Sequence, residues 1–395
     1  VTEKKSVMGP KKPRRGARPS LHAVILAGGA GERFWPASRK KHPKPLMRVV
    51  GGQSLLAATL ARAKKFAGDD QVWIVCGKEH AKAIRDESGL PARRVLVEPL
   101  RRNTAMAVAW AAQRIEAEDS GSVMAILSAD HHIPNAGAFA SSIRRCARAA
   151  ASEGVLLTLG ILPTRPDTGY GYIQQGAAAG TAFPGLHRVR RFVEKPDAKR
   201  AQRYLASGQY LWNAGVFIFA ARTLLEEIEV CAPELHRSLA PLRAQPRGRN
   251  SRAVEAAYRR APSVPLDVAV MERSRKVWTL PVDFAWSDVG TWASLGEELG
   301  VSGLGGESRS ARAKRVVGGL AGADAGNRVV DGEVLFVESS SNLVWGGDRL
   351  VALLGVEGLA VIDTKDAILI AALDRSNEVR KVVAALVKAG RNDLT

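Results

Sequence analysis

Leu26-Ala27-Gly28-Gly29-Ala30-Gly31-Glu32-Arg33-Phe34-Trp35-Pro36-Ala37-Ser38-Arg39, with Pro43-Lys44-Pro45-Leu46 just beyond, is the stretch on which the fold turns. It follows a short apolar run over residues 23–26 that reads as a strand. Glycines lack a Cβ, so backbone N–H groups in such a strand-to-helix loop can approach an anion closely. Neither familiar glycine-rich code is met: Phe34 stands where a dinucleotide fingerprint has its third glycine, and no Gly-Lys-Ser/Thr completes a P-loop. Taken alone, the loop also reads as a plain tight turn.

Outward from the loop, β-branched apolar runs over 72–76, 123–127 and 155–159 read as further strands. Between them, residues 54–66, 105–118 and 138–151 carry apolar faces at helical spacing. Strands alternating with helices predict βαβ units and an α/β fold, with a mostly parallel sheet covered on both faces. In such sheets ligands collect beyond the carboxyl ends of the strands. The pattern breaks over 300–326, rich in Gly, Ser, Ala and Arg, and short strand-like runs follow at 334–337, 343–345, 350–354, 359–362 and 367–370, with a helix over 377–389. The expected organisation is a basic arm over 1–19, a catalytic domain over 20–300, an irregular connection over 301–325, and a small β module with a C-terminal helix over 326–395. No repeat of fixed period is evident.

The 395 residues suffice for two or three domains, and 46% apolar with 25% charged residues is a globular composition that excludes a disordered or collagenous chain. Cys76, Cys146 and Cys231 are odd in number and far apart, which argues against a disulfide framework or a cysteine zinc site and for a reducing, cytoplasmic setting. The net charge is +19, of which the first nineteen residues carry +6. Such a field attracts polyanions, but nucleic acid, nucleotides and sugar phosphates are all anionic and charge does not choose among them. The arm has no aromatic for base stacking, so nucleic acid is not expected except through its charge. The apolar run after the arm is interrupted by His22 and lacks a cleavage pattern, so it does not read as a signal peptide; nor is any run long enough to span a membrane.

The loop with its Arg33 and Lys44 spacing resembles the sugar nucleotidyltransferases, and its Trp35-Pro36 resembles their mannose-1-phosphate guanylyltransferase branch. Further segments agree in order: Glu98 to Ala105, Asp130-His131, Gly169 to Ile173, Phe192 to Pro196, Trp212 to Phe217 and Trp286 to Trp292. Asp348 to Ala352 and Val361 to Thr364 resemble the left-handed β-helix extension of these enzymes. The resemblance implies a Rossmann-like nucleotidyltransferase domain followed by a small left-handed β-helix-type module. It implies attack by mannose 1-phosphate on the α-phosphorus of GTP, giving GDP-mannose and pyrophosphate. A homodimer is compatible with it, although the residues do not reveal one.

Roles follow partly from chemistry. Arg33 offers a planar fork of donors and Lys44 a point charge, both suited to a triphosphate, and Lys195 would hold the sugar phosphate. By resemblance Leu26, Ala27, Gly28, Gly29, Gly31, Glu98, Arg101, Asn103 and Thr104 line the nucleotide site, and Gly171, Glu194, Lys195 and Asn213 the sugar-phosphate site. Asn103 or Thr104 reads equally as a helix cap. Asp130 and Asp288 match the family's Mg²⁺ ligands and suit an ion that takes few carboxylates plus substrate oxygens. The bland alternatives are a turn residue for Asp130 and an N-cap for Asp288. The adjacent His131 and His132 show no zinc-ligand spacing. Pro45-Leu46, Ser128-Ala129 and Val268 depart from the family pattern without removing a proposed ligand or cation, and bear on sugar and base choice. The chain is too short for the isomerase domain of some relatives, so no isomerase activity is expected. Two alternatives stay open: the same fold acting on another sugar 1-phosphate or nucleotide, and a non-catalytic sugar-nucleotide sensor.

Overall fold

A computed structural model describes residues 19–29, 31–50, 52–244, 251–301 and 325–395. All but the last residue of the expected arm, and 302–324 of the expected connection, lie outside the described residues. The described residues form two compact units: those within Val1–Val24, Arg102–Ile126 and Ser142–Pro281 make the first, and those within Ile25–Arg101, Leu127–Ser141 and Val282–Thr395 the second.

In the first unit the long strand Tyr210–Ala220 pairs antiparallel with Val123–Ser128, Leu156–Ile161 and Tyr172–Ala178. His187–Val193 runs antiparallel to Tyr172–Ala178 and to Val277–Val282. The α/β class is the one expected, but these pairs make the sheet mixed, where the alternation of strands and helices had suggested mostly parallel strands. Tyr210–Ala220 is buried along nearly its whole length and, apart from Asn213, reads as an apolar run, which is silent about direction. Its register jumps between Asn213, opposite Gly160, and Phe217, opposite Thr158. Extra residues on one strand bend it and re-aim its side chains, and here the irregularity begins at Asn213. The helix Asn103–Glu118 buries Ala105 through Ile115 without a break; its many alanines allow this close approach.

In the second unit Val72–Gly77 pairs in parallel with Val95–Glu98. Ala27 N–H donates to Val75 O at 2.8 Å and Ala129 N–H to Leu26 O at 3.0 Å. The loops that follow strands Leu21–Leu26 and Val123–Ser128 therefore leave side by side at the carboxyl ends. The helix expected over 54–66 is Leu55–Ala63, capped by Ser54 Oγ accepting from Ala57 N–H.

The C-terminal strands Arg328–Val337, Leu343–Leu354 and Leu359–Asp363 pair in parallel, and Ile368–Ala372 adds antiparallel. The two runs expected at 343–345 and 350–354 belong to one strand whose pairing slips between Trp345 and Leu350. A 3₁₀ stretch Leu373–Val379 leads into the helix Arg380–Lys388. This module shares one hydrophobic core with the glycine-rich loop: Phe34, Trp35, Met47 and Trp292 cluster with Leu343, Ile362, Leu369, Leu373, Val379 and Val383. Trp292 meets Phe34 edge-on at 4.8 Å and Trp345 at 5.5 Å. Trp35 Nε1–H donates to Leu394 O at 2.7 Å, and the Arg39 guanidinium grips both oxygens of Asp366 at 2.5 and 2.6 Å.

Candidate functional site

The second unit carries a pocket of about 490 Å³, a size that suits a small-molecule ligand. The loop after the first strand lines it with Gly28, Gly29, Gly31, Arg33 and Phe34. Ser128, Asp130 and His131 enter from the turn after Val123–Ser128, and Asp288 and Gly290 from the segment before the helix Trp292–Leu299. Glu32, Lys44, Arg101 and Arg380 complete the wall.

Gly31 adopts φ +63°, and a Cβ there would lie 2.5 Å from Ser38 Oγ and 2.6 Å from Lys44 Cβ. Only glycine therefore lets the Lys44 stem pass so close to the loop. The buried Lys44 ammonium donates to Asp130 Oδ2 at 2.7 Å and to the Asp288 carbonyl at 2.9 Å. It is thus a clasp between the two acidic segments, with one of its three N–H groups left. A reciprocal pair of backbone bonds, His132 N–H to Ser287 O at 2.9 Å and Ser287 N–H to His132 O at 3.0 Å, joins the same two segments.

Asp130 also accepts from Ser128 Oγ at 2.5 Å. Burial pushes its carboxyl up, but the Lys44 ammonium, His131 and the hydrogen bonds from Lys44 and Ser128 outweigh that and hold it at about 2. The group is a carboxylate at neutral pH. Burial pushes the His131 imidazole down, against the pull of Asp130 and Asp288. Trp286 Nε1–H points at His131 Nδ1 at 3.3 Å, with the rings edge-on. Beneath the turn, buried Arg62 donates to Thr59 Oγ1 at 2.6 Å and to the His131 carbonyl at 2.7 Å. Arg33 differs from these: among the described residues its guanidinium makes no hydrogen bond or ion pair.

The first unit holds a second polar cluster. Asn213 Oδ1 accepts from Thr158 Oγ1 at 2.8 Å, and Asn213 Nδ2 donates to Asp267 Oδ1 at 2.9 Å. A Cβ on Gly171 would lie 2.6 Å from Glu194 Oε2 and 3.3 Å from Asn213 Cβ, so the missing side chain is what leaves these two groups room. Lys195 Nζ donates to Glu194 Oε1 at 2.8 Å, and Glu194 N–H to Glu272 Oε1 at 2.7 Å. Burial and the charge of Glu194 push the Asp267 carboxyl up to about 7. Asp267 opens a π-helical turn, Asp267–Met271, a form rare in proteins and frequent at functional sites.

The sequence-predicted residues thus divide. Gly28, Gly29, Gly31, Arg33, Lys44, Arg101, Asp130 and Asp288 line one pocket, while Leu26 and Ala27, which lead from the first strand into its loop, are not among the lining residues. Arg101 is engaged by Glu79 through two of its nitrogens. Gly171, Glu194, Lys195 and Asn213 lie together in the first unit. Glu98 ends its strand and is not among the lining residues of the pocket. Asn103 and Thr104 belong to the first unit, where Thr104 Oγ1 accepts from Leu266 N–H at 2.9 Å and Asn103 Oδ1 from Thr104 N–H at 2.8 Å. Neither caps the helix, whose N-cap is Arg102. Nor does Asp288, since Thr291 closes a capping box at the helix Trp292–Leu299. Sequence reasoning missed Ser128, His131 and Arg380 in the pocket, and Asp267 and Glu272 in the second cluster. Within Leu266 to Glu272 only Val268 departs from the family pattern, and nothing local marks Asp267, Glu272 or Arg380.

A family model described as Nucleotidyl transferase matches residues 22–299, and one described as MannoseP isomerase/GMP-like beta-helix domain matches 332–386. Alginate biosynthesis protein AlgA of Pseudomonas aeruginosa is 37% identical over 376 residues, covering 94% of this chain and 73% of AlgA. A mannose-1-phosphate guanylyltransferase of Escherichia coli is 35% identical over 379 residues, covering 94% of this chain and 75% of its own length. Among solved structures, a Thermus thermophilus protein described as mannose-1-phosphate geranyltransferase superposes with a TM-score of 0.79 at 31% identity, covering 93% of this chain and 99% of that one. With more than half its length matched by one family model, and relatives above 30% identity along nearly all of it, the chain belongs to the nucleotidyl transferase family.

Proposed function

We propose that this nucleotidyltransferase moves GMP from GTP to α-D-mannose 1-phosphate, forming GDP-mannose and releasing pyrophosphate. The observation that carries the reading is the pocket in which a glycine-rich loop, Arg33 and the Lys44 clasp meet Asp130 and Asp288. The relatives named mannose-1-phosphate guanylyltransferase support the choice of substrates.

The attacking phosphate oxygen is already anionic, so neither a strong general base nor a covalent intermediate is needed. Catalysis reduces to positioning two mutually repelling anions and stabilising the charge that moves from the α-phosphorus to pyrophosphate. The Arg33 fork has its donors available for phosphate oxygens, and the loop N–H groups approach the same anion. Two carboxylates on adjoining segments fit the sparse donor set of Mg²⁺, and no group of three or more His, Cys, Asp or Glu suited to a metal occurs among the described residues. Asp130 and Asp288 would hold that ion, which when bound offsets phosphate charge. Lys44 keeps Asp130 ionised and the two segments in register. Lys195 would meet the sugar phosphate, while Glu194 and Asn213 offer acceptors and donors to the sugar hydroxyls. No helix among the described residues is long and apolar enough to cross a membrane, and the three free cysteines support a cytoplasmic setting.

The test is pyrophosphate release with Mg²⁺ and a grid of GTP, ATP, UTP, CTP and dTTP against mannose 1-phosphate and glucose 1-phosphate, with the product identified by mass. The GTP and mannose 1-phosphate pair should dominate. Another dominant pair overturns the specificity, and GDP-mannose binding without any turnover overturns the catalytic reading in favour of a sensor.

A further inference from the structure

We infer that Arg380, from the C-terminal module, is a phosphate-binding residue of the nucleotide pocket, so that the module supplies part of the substrate site. The inference deepens the proposed function and rests on it for the identity of the nucleotide. Three observations within the second unit lead to it.

Arg380 opens the helix that follows the 3₁₀ stretch Leu373–Val379, and it lines the same pocket as Gly28, Arg33, Asp130 and Asp288. Its placement follows from packing. Val379 and Val383 on either side of it are buried in the core that contains Phe34 and Trp35, which sets the helix start against the loop bearing Arg33.

The second observation is electrostatic. Two other cations of the pocket are engaged within the protein, Lys44 by Asp130 and Arg101 by Glu79. Arg380 is exposed, and among the described residues its guanidinium makes no hydrogen bond or ion pair, as is the case for Arg33. Its neighbours in sequence are paired instead: Glu378 is taken by both Arg375 and Lys381. Glu378 is therefore already claimed, which leaves Arg380 facing the cavity.

The third is chemical. A guanidinium presents several N–H groups in a planar fork that matches phosphate oxygens, and two unengaged forks on one cavity suit a ligand carrying several phosphate charges better than a neutral sugar. Both arise from segments that meet in one core, so their spacing is set by the fold rather than by a flexible tether. The ligand class is the oligophosphate portion of a nucleotide, or pyrophosphate itself.

The experiment compares wild type, Arg380→Ala, Arg380→Lys and Lys381→Ala in the full chain. It reads equilibrium binding of inorganic pyrophosphate, KM for GTP, KM for mannose 1-phosphate, and the thermal midpoint. Arg380→Ala should raise the pyrophosphate Kd and the GTP KM about tenfold, the loss of one charge-assisted contact, and leave the mannose 1-phosphate KM within about twofold. Arg380→Lys should recover part of the loss and Lys381→Ala should show none. The effect should shrink as salt screens it. The midpoint should hold, since loss of the guanidinium breaks no hydrogen bond or ion pair among the described residues; if Arg380→Ala does melt early, Arg380→Lys at wild-type midpoint carries the comparison.

An active wild type whose Arg380 variants bind pyrophosphate and GTP unchanged overturns the inference and leaves the proposed function standing. A wild type inactive on every nucleotide, but with pyrophosphate binding that weakens in Arg380→Ala, does the reverse. Equal rises in the KM values for GTP and mannose 1-phosphate also overturn it, because they mark a general disturbance rather than a phosphate contact.

Discussion

Asp288 and Asp267 show how differently two carboxyl groups are used. Asp288 lies on a wall of the pocket, tied through its carbonyl to Lys44. Asp288→Asn keeps the volume and removes the charge, so kcat should fall at least about a hundredfold while the thermal midpoint stays put. Steady-state kinetics at saturating Mg²⁺ reads this, and wild-type turnover would overturn the metal-binding role proposed for Asp288. Asp267 is held near pH 7 by burial and by Glu194, against an ordinary value of 3.8. The folded chain therefore keeps this proton more tightly than the unfolded one. That contribution to stability is fully present below about pH 4 and is lost as pH rises through 7. Glu298, pushed up to about 7 by burial and by Glu297, acts in the same direction. Urea midpoints of wild type and Asp267→Asn at pH 5 and pH 8 separate the two: the wild type should lose more stability over that interval, and parallel losses would show that Asp267 ionises normally.

At the scale of the element, the glycine-rich loop was readable because its constraints are local. Three glycines in four residues announce a backbone that approaches something closely, and Gly31 does so, with Ser38 and Lys44 where a Cβ would stand. Gly31→Ala combines a strained left-handed conformation, costing about 1 to 3 kcal/mol, with displacement of Lys44 from Asp130. The variant should melt several degrees lower and show a raised KM for GTP. Unchanged kinetics in a folded Gly31→Ala would mean that the Lys44 clasp is dispensable. The direction of Tyr210–Ala220 was not readable. Its apolar residues face covered sides throughout, and an apolar run has no polarity along its axis.

For the molecule as a whole, the telling feature lies within the second unit, where the C-terminal module and the glycine-rich loop are built on one core. Phe34, Trp35 and Trp292 bury themselves against Leu343, Ile362, Leu369 and Val379. Full burial of one such side chain stabilises by about 1.5 to 3 kcal/mol, so uncovering several of them rivals the whole of an ordinary protein's margin of about 5 to 15 kcal/mol. A chain ending at residue 301 should therefore accumulate as insoluble or dye-binding, loosely packed protein without a cooperative melting transition. A soluble 20–301 fragment with a sharp transition and GTP-dependent turnover would show instead that the module is an independent attachment.

By itself the sequence determined what is written in contiguous residues. The loop around Gly28 and Gly31, Asp130 just past a strand end, and the Glu194-Lys195 pair were legible because a strand, a turn and the residues beside them are specified by neighbours in the chain. The α/β class was legible for the same reason, since the period of apolar residues switches between strand and helix within a few positions. Tertiary structure alone decided what depends on which distant segments meet. It set Lys44 between Asp130 and the Asp288 carbonyl, brought the Leu266 N–H to Thr104 Oγ1, placed Asp267 beside Asn213, and brought Arg380 to the wall of the pocket that holds Arg33. Each of these is a long-range contact between segments that share no local pattern, and such a contact is set by the fit of buried surfaces, which a linear string does not display.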